Sequence, residues 1–224
     1  MAIVPMQLTK PTLATRRLIL EPLRARHARE VHAAIDESRA TLGLWLPFVH
    51  ATLSPADTEA FIRRVARSEY DIVWGMWLRD DEQRGASSGP RRAHDYCGNV
   101  GLHRVYVEQG TGEVGYWIRG SREGRGLVSE AVAAVLLWAF GRLGLERVTV
   151  EAATGNAASL RVIEKLGFVR EGVLREAQRI PGIATRLDLV IAGLVREDFA
   201  RARSELVRLC GAAKPWDASD AARN

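Results

Sequence analysis

Between Leu127 and Leu143 the chain reads LVSEAVAAVLLWAFGRL, apolar on nearly every side of a helix. A helix with no polar face has to be covered all round, so this one belongs in a core. The stretch before it, REGRG at 122–126, is bare, basic and flexible. A turn that feeds a helix start points its amide N–H groups outward, and the helix dipole reinforces them, which makes an anion site. Gly124 and Gly126 let the backbone approach a phosphate with no Cβ in the way, while Arg122 and Arg125 add charge and forked hydrogen bonds. A P-loop is excluded, because no Gly-Lys followed by Ser or Thr occurs; a dinucleotide fingerprint is excluded by Ser129, where a third glycine would be needed. Taken alone, the same letters also spell an ordinary glycine turn.

The rest of the chain supplies a sheet for that helix. TRRLILEPL (15–23) reads as a first strand, and the pattern from Ala25 to Leu42 as a helix ending at Gly43. Ser54 and Pro55 make a helix start, and that helix runs to about Ser68. Strands follow at 71–80, 96–108 and 111–120, the last two joined by a hairpin at 109–112; the Gly-, Ser- and Pro-rich segment 81–95 reads as a long mobile loop. After the apolar helix come a β-branched strand at 147–153, a helix at 156–167, a strand at 185–195 and a helix near 196–209. This order fits one α/β sheet with helices on both faces.

The 224 residues, 47% hydrophobic and 26% charged, are enough for one domain over 1–210 with its core at about 12–200; the tail 211–224 is expected to lack order. No apolar run reaches the roughly 20 residues of a membrane helix, and the proline-broken start does not resemble a signal peptide. Cys97 and Cys210 form no CxxC pair and have no histidine cluster nearby, so neither a disulfide nor a zinc site is expected and a reducing cytoplasm is the default. The net charge of +5 is spread along the chain, which points to solvated helix faces and an anionic small ligand rather than to nucleic acid. The histidines form no constellation with Asp and Ser or Cys, which rejects a hydrolase triad.

A second motif stands some thirty residues beyond the turn, NAASLRVIEKLGFVREGVLRE at 156–176. Together with GYWIRGSREGRGLVSEAV it resembles the GNAT acetyltransferase superfamily, in the RimJ/RimL-type branch of ribosomal-protein N-terminal acetyltransferases. The TRRLILEPL opening, LWLPFV (44–49) and the LDLVIAGLVREDF ending are similar to that branch as well, so that the resemblance covers about residues 12–200. It implies a single-domain α+β fold with a mixed, mostly antiparallel sheet and a splayed strand pair at the cofactor site. It implies acetyl-CoA as co-substrate, no metal, and an amine as acceptor.

On this resemblance the diphosphate sits on Gly124, Arg125, Gly126, Leu127 and Val128. Glu123 stands where the family has Gln or Arg, and Val128 where it has a small residue, so backbone amides rather than a side chain at 123 would hold the phosphates. The pantetheine arm would run between strands 113–119 and 147–153, with Asn156 on its amides, although Asn156 also reads as a helix cap. Ser159 would donate a hydroxyl to the departing thiolate, and N–H groups near Trp117 and Ile118 would meet the oxyanion. Glu113 is the candidate base acting through water, with Glu151 and Asp188 as alternatives; Trp45, Pro47, Phe48 and Asp188 would line the acceptor side. His103 could also face the site, but an isolated histidine on a strand is more often structural. The acceptor is a protein N-terminal α-amine, or alternatively a small amine such as a polyamine, amino sugar or antibiotic; a non-catalytic acyl-CoA-binding regulator is a third reading. Apolar residues near the C-terminal strand offer a surface for a homodimer.

Overall fold

The computed structural model describes residues 8–79, 96–212 and 214–217, so the loop expected at 81–95 lies outside the described residues. The strands are β1 (Leu13–Ala14), β2 (Leu18–Pro22), β3 (Ile72–Leu78), β4 (Tyr96–Tyr106), β5 (Thr111–Ile118), β6 (Arg147–Ala153), β7 (Val169–Gln178) and β8 (Leu187–Val195). The helices are α1 (Ala28–Glu37), α2 (Arg39–Leu42), α3 (Phe48–Ala51), α4 (Pro55–Arg67), α5 (Leu127–Gly141), α6 (Ala157–Lys165) and α7 (Arg196–Cys210). The strands form one sheet in the order β1-β2-β3-β4-β5-β6-β8-β7.

Every neighbouring pair is antiparallel except β5 and β6, which are parallel because helix α5 carries the chain back between them. That parallel pairing is short. It joins Thr111 to Arg147, Gly112 to Val148 and Glu113 to Thr149, and then the two strands part. From Val114 and Val150 onward a gap opens in the middle of the sheet, the splayed pair the resemblance implied.

The apolar helix α5 explains the layers. Every residue from Leu127 to Phe140 is buried, between the sheet on one side and α7 on the other. Trp138 meets Trp74 of β3 edge-on at 5.6 Å between ring centroids, and Phe140 stacks on Phe199 of α7 at 4.5 Å. Each large side chain withdrawn from water in this way contributes about 1.5–3 kcal/mol. The opposite sheet face is covered by α1 and α4, whose Val31, Ile35, Ile62 and Val65 pack with Val73, Trp77, Tyr96 and Trp117.

Three readings of the sequence are corrected. The helix expected from Ala25 to Leu42 is a 3₁₀ turn followed by α1 and α2, interrupted at Ser38, whose hydroxyl accepts a hydrogen bond from the N–H of Gly120 instead. Strand β7 was not expected. It is an edge strand exposed along almost its whole length, with Val169, Val173 and Leu174 open to solvent, so it lacks the alternation that marks a half-buried strand. Of the tail expected to lack order from Gly211, two described residues are held: Ala14 N–H donates to Pro215 O at 2.8 Å, and the Trp216 ring lies against Gly141. Among the described residues no helix is long and apolar enough to cross a membrane.

Candidate active site

The glycine turn takes the shape its composition suggests. Gly124 and Gly126 both adopt φ of 72°, a left-handed conformation costly for any residue with a Cβ. Residues 123–126 are exposed, and Gly126 caps α5. Glu130 N–H donates to Gly126 O at 3.1 Å, so the N–H groups of Leu127 to Ser129 precede the helical ladder and point out of the helix end.

Both flanks of the turn are clamped. On one side the end of α1 holds the chain leaving β5: Ser38 Oγ accepts from Gly120 N–H at 2.9 Å, Ser121 Oγ donates to Glu37 at 2.7 Å, and Arg119 pairs with Glu37. On the other side Glu130, only 1% exposed, accepts from Thr15 Oγ1 at 2.6 Å and from Arg17 N–H and Nε at 2.7 Å each. Arg17 Nη1 then donates to Arg125 O at 3.0 Å, inside the turn itself. Arg17, from before β2, is thus a cation held on the turn. No local pattern announces it, because its partners lie more than a hundred residues away.

Along β5, Arg119 N–H donates to Cys97 O of β4 at 2.8 Å. Backbone groups alternate sides along a strand, so Trp117 also faces β4, whereas Tyr116 and Ile118 turn their N–H groups toward the gap. Of the two residues expected to meet an oxyanion, Ile118 is the one so oriented; the Trp117 side chain is buried against Tyr96. Across the gap, Asn156 caps α6, its side-chain oxygen accepting from Ser159 N–H at 3.1 Å. Its amide nitrogen is what it can offer a ligand. Ser159 Oγ lies 2.7 Å from Tyr116 Oη, linking β5 to the first turn of α6. Burial pushes the Tyr116 phenol up to about 12, against the pull of its bond to Ser159, so it keeps its proton.

A parted strand pair with exposed turn amides beside it and a hydroxyl pair inside it has the parts an acyl-CoA site needs. Residues 17–169 match the acetyltransferase (GNAT) domain family. The chain belongs to the GNAT acetyltransferases. YdaF of Bacillus subtilis (strain 168), whose name assigns it provisionally to ribosomal N-acetylation, is 31% identical over 183 residues, 81% of this chain and 91% of that protein. The ribosomal-protein-serine acetyltransferase of Escherichia coli (strain K12) is 32% identical over 85 residues, 38% of this chain and 47% of that one. Mycobacterium smegmatis RimJ, solved with a CoA-disulfide, shares the fold at a TM-score of 0.73 and 20% identity, over 89% of this chain and 97% of that one.

This GNAT enzyme is an N-acetyltransferase with acetyl-CoA as donor, and its residues suit that donor: exposed amides at a left-handed turn for the diphosphate, and an open gap for the arm. On the acceptor side the expected residues are dispersed. Trp45 closes the end of β6, its ring about 3.5 Å from where a Cβ on Gly155 would sit, and its carbonyl accepts from Gln178 of β7. Pro47 caps the short α3, and Phe48 turns outward, 40% exposed. Asp188 O accepts from Thr154 N–H at 2.9 Å while its carboxylate accepts from Glu176 N–H at 2.7 Å, so it stands at the same end of β6. Glu113 sits where β5 and β6 are still paired, bound to Arg104.

Proposed function

We propose that the enzyme transfers the acetyl group of acetyl-CoA to the α-amine of a protein N-terminus. The observation that carries this reading is the likeness to YdaF across 81% of the chain, joined to a gap that begins where β5 and β6 stop pairing after Glu113 and Thr149. Chemistry favours the same acceptor. A terminal amine has a pKa near 8 against about 10.4 for lysine, so it presents its neutral form at pH 7 at a cost about 3.5 kcal/mol lower.

Acetyl-CoA supplies an activated thioester. The N–H groups of 124–128, with Arg17 beside them, bind its diphosphate. Asn156 orients the arm, the Ile118 N–H receives the negative charge that builds on the carbonyl oxygen, and the Ser159–Tyr116 pair gives a proton to the leaving thiolate.

Release of free thiol from acetyl-CoA tests the reading, with peptides beginning in Ser or Ala set beside polyamines and amino sugars. Turnover is expected on the peptides. Turnover confined to small amines would move the enzyme to the alternative acceptor class, and binding with no turnover would leave an acyl-CoA-binding regulator. Asn156→Ala is expected to weaken acetyl-CoA about tenfold, the loss of roughly one hydrogen bond's worth of about 1.4 kcal/mol, read by calorimetry.

A further inference from the structure

His103 is not the isolated strand histidine that the sequence suggested. Its Nδ1 lies 3.1 Å from Asp71 Oδ1, just before β3. Asp71 is itself fixed, accepting from Ser68 Oγ at 2.7 Å and from Arg104 N–H at 3.4 Å. Burial alone would raise the Asp71 carboxyl, yet the hydrogen bonds from Ser68 and His103 hold it below its ordinary range, so it stays charged. A carboxylate on Nδ1 fixes the tautomer and leaves the Nε2 lone pair outward.

The register says where that lone pair is. His103 of β4 is opposite Glu113 of β5, and the next pair along that face is Gly101 opposite Gly115. The imidazole lies over both glycines. A Cβ on Gly101 would fall 2.4 Å from Nε2, and one on Gly115 would fall 3.7 Å from it. No other residue at 101 leaves room for the ring. Gly115 is two residues past the last β5–β6 pair, at the edge of the gap, and it shares the sheet face of Trp117, away from α5. Across the gap, Val150 and Ala152 of β6 turn into the α5 core, so Glu151 between them faces the same side as His103 and is exposed.

We infer that His103, held by Asp71, takes the proton from the incoming amine at the edge of the gap. The inference rests on the N-acetyltransferase reading. In the step, an N–H bond of the ammonium breaks and its proton bonds to Nε2. The electron pair left on nitrogen forms the N–C bond to the thioester carbonyl, whose π pair moves to oxygen and returns as the C–S bond breaks. The second nitrogen proton is lost as the Ser159–Tyr116 pair protonates the thiolate and is itself reprotonated, and the imidazolium, balanced by Asp71, returns the first proton to water. As a side-chain type, imidazole is better matched to taking up a proton at neutral pH than a carboxylate is. The charged groups around it are Asp71, Arg104, Glu113 and Glu151; Arg104 and Glu113 neutralise each other, and Glu151 attracts the ammonium from the far side.

The test compares wild type with His103→Gln, Asp71→Asn and Glu113→Gln in the full chain. The expected result is a fall in kcat/KM of about 100-fold at pH 7 for His103→Gln, with a flattened pH–rate profile and acetyl-CoA affinity unchanged within twofold. Asp71→Asn should lower kcat/KM by about tenfold while the profile keeps its pH dependence. A His103→Gln loss below threefold with the profile unchanged, or a flattened profile in Glu113→Gln instead, overturns the inference. A readout independent of the acceptor is the imidazole Cε1–H resonance of His103 in wild-type protein, which should move when acetyl-CoA is added. Calorimetric binding with that resonance unmoved sinks the inference alone, whereas no binding at all sinks the acetyltransferase reading with it.

Discussion

Replacing Glu130 by alanine should destabilise the fold by about 3–5 kcal/mol, the cost of leaving a buried ion pair half-made. Glu130 is 1% exposed and holds three donors, Thr15 Oγ1, Arg17 N–H and Arg17 Nε, at 2.6–2.7 Å. Without the carboxylate, the N–H and Nε of the half-buried Arg17 lose their acceptor, and Thr15 Oγ1, in a residue 3% exposed, is left with only the long bond to Leu18 O at 3.3 Å. For a chain of this size each kcal/mol moves Tm by about 2–4 °C, so a drop on the order of 10 °C is expected in a circular-dichroism melt. Because Arg17 also bonds Arg125 O, acetyl-CoA should bind more weakly at temperatures where the variant is still folded. A change under about 1 kcal/mol would mean that the clamp behaves as a surface ion pair.

The largest effect on turnover is expected at Ser159. Its alanine variant should lower kcat about 100-fold while the acetyl-CoA Kd changes less than threefold, because a donor that acts on developing charge matters only in the transition state. Tyr116→Phe should lose about tenfold, since Tyr116 reaches the same point through Ser159 at 2.7 Å. The double variant should be no slower than Ser159→Ala alone, as for residues acting as one unit. Steady-state kinetics with a peptide acceptor decide it. A Ser159→Ala variant whose KM rises while kcat holds would make the hydroxyl a binding group instead.

How much of this could be read beforehand depended on how local each signal was. Helix α5, the hairpin of β4 and β5, strand β6 and the Asn156 cap of α6 are written in periodicity and turn chemistry within a few residues, and they stand where expected. Strand β7 is exposed at a sheet edge, so burial imposed no alternation on its sequence. Ser38 breaks a helix because of an N–H at Gly120, and Arg17 reaches the turn through Glu130. His103 was set aside because its partner Asp71 lies 32 residues earlier and joins it only across two strands. Pairings of that kind are products of the fold, and no residue spacing announces them.

The proposed grip of the turn on the diphosphate is tested most directly by titrating acetyl-CoA into wild type and Gly126→Val in a calorimeter, with melting curves to confirm that both are folded. At φ of 72° a β-branched residue is strongly disfavoured, and it would displace the amides that face the ligand. The expected result is saturable heat and protection from melting for wild type, and at least a tenfold weaker Kd for Gly126→Val. No heat from wild type at millimolar acetyl-CoA, or equal affinity in both proteins, would contradict it.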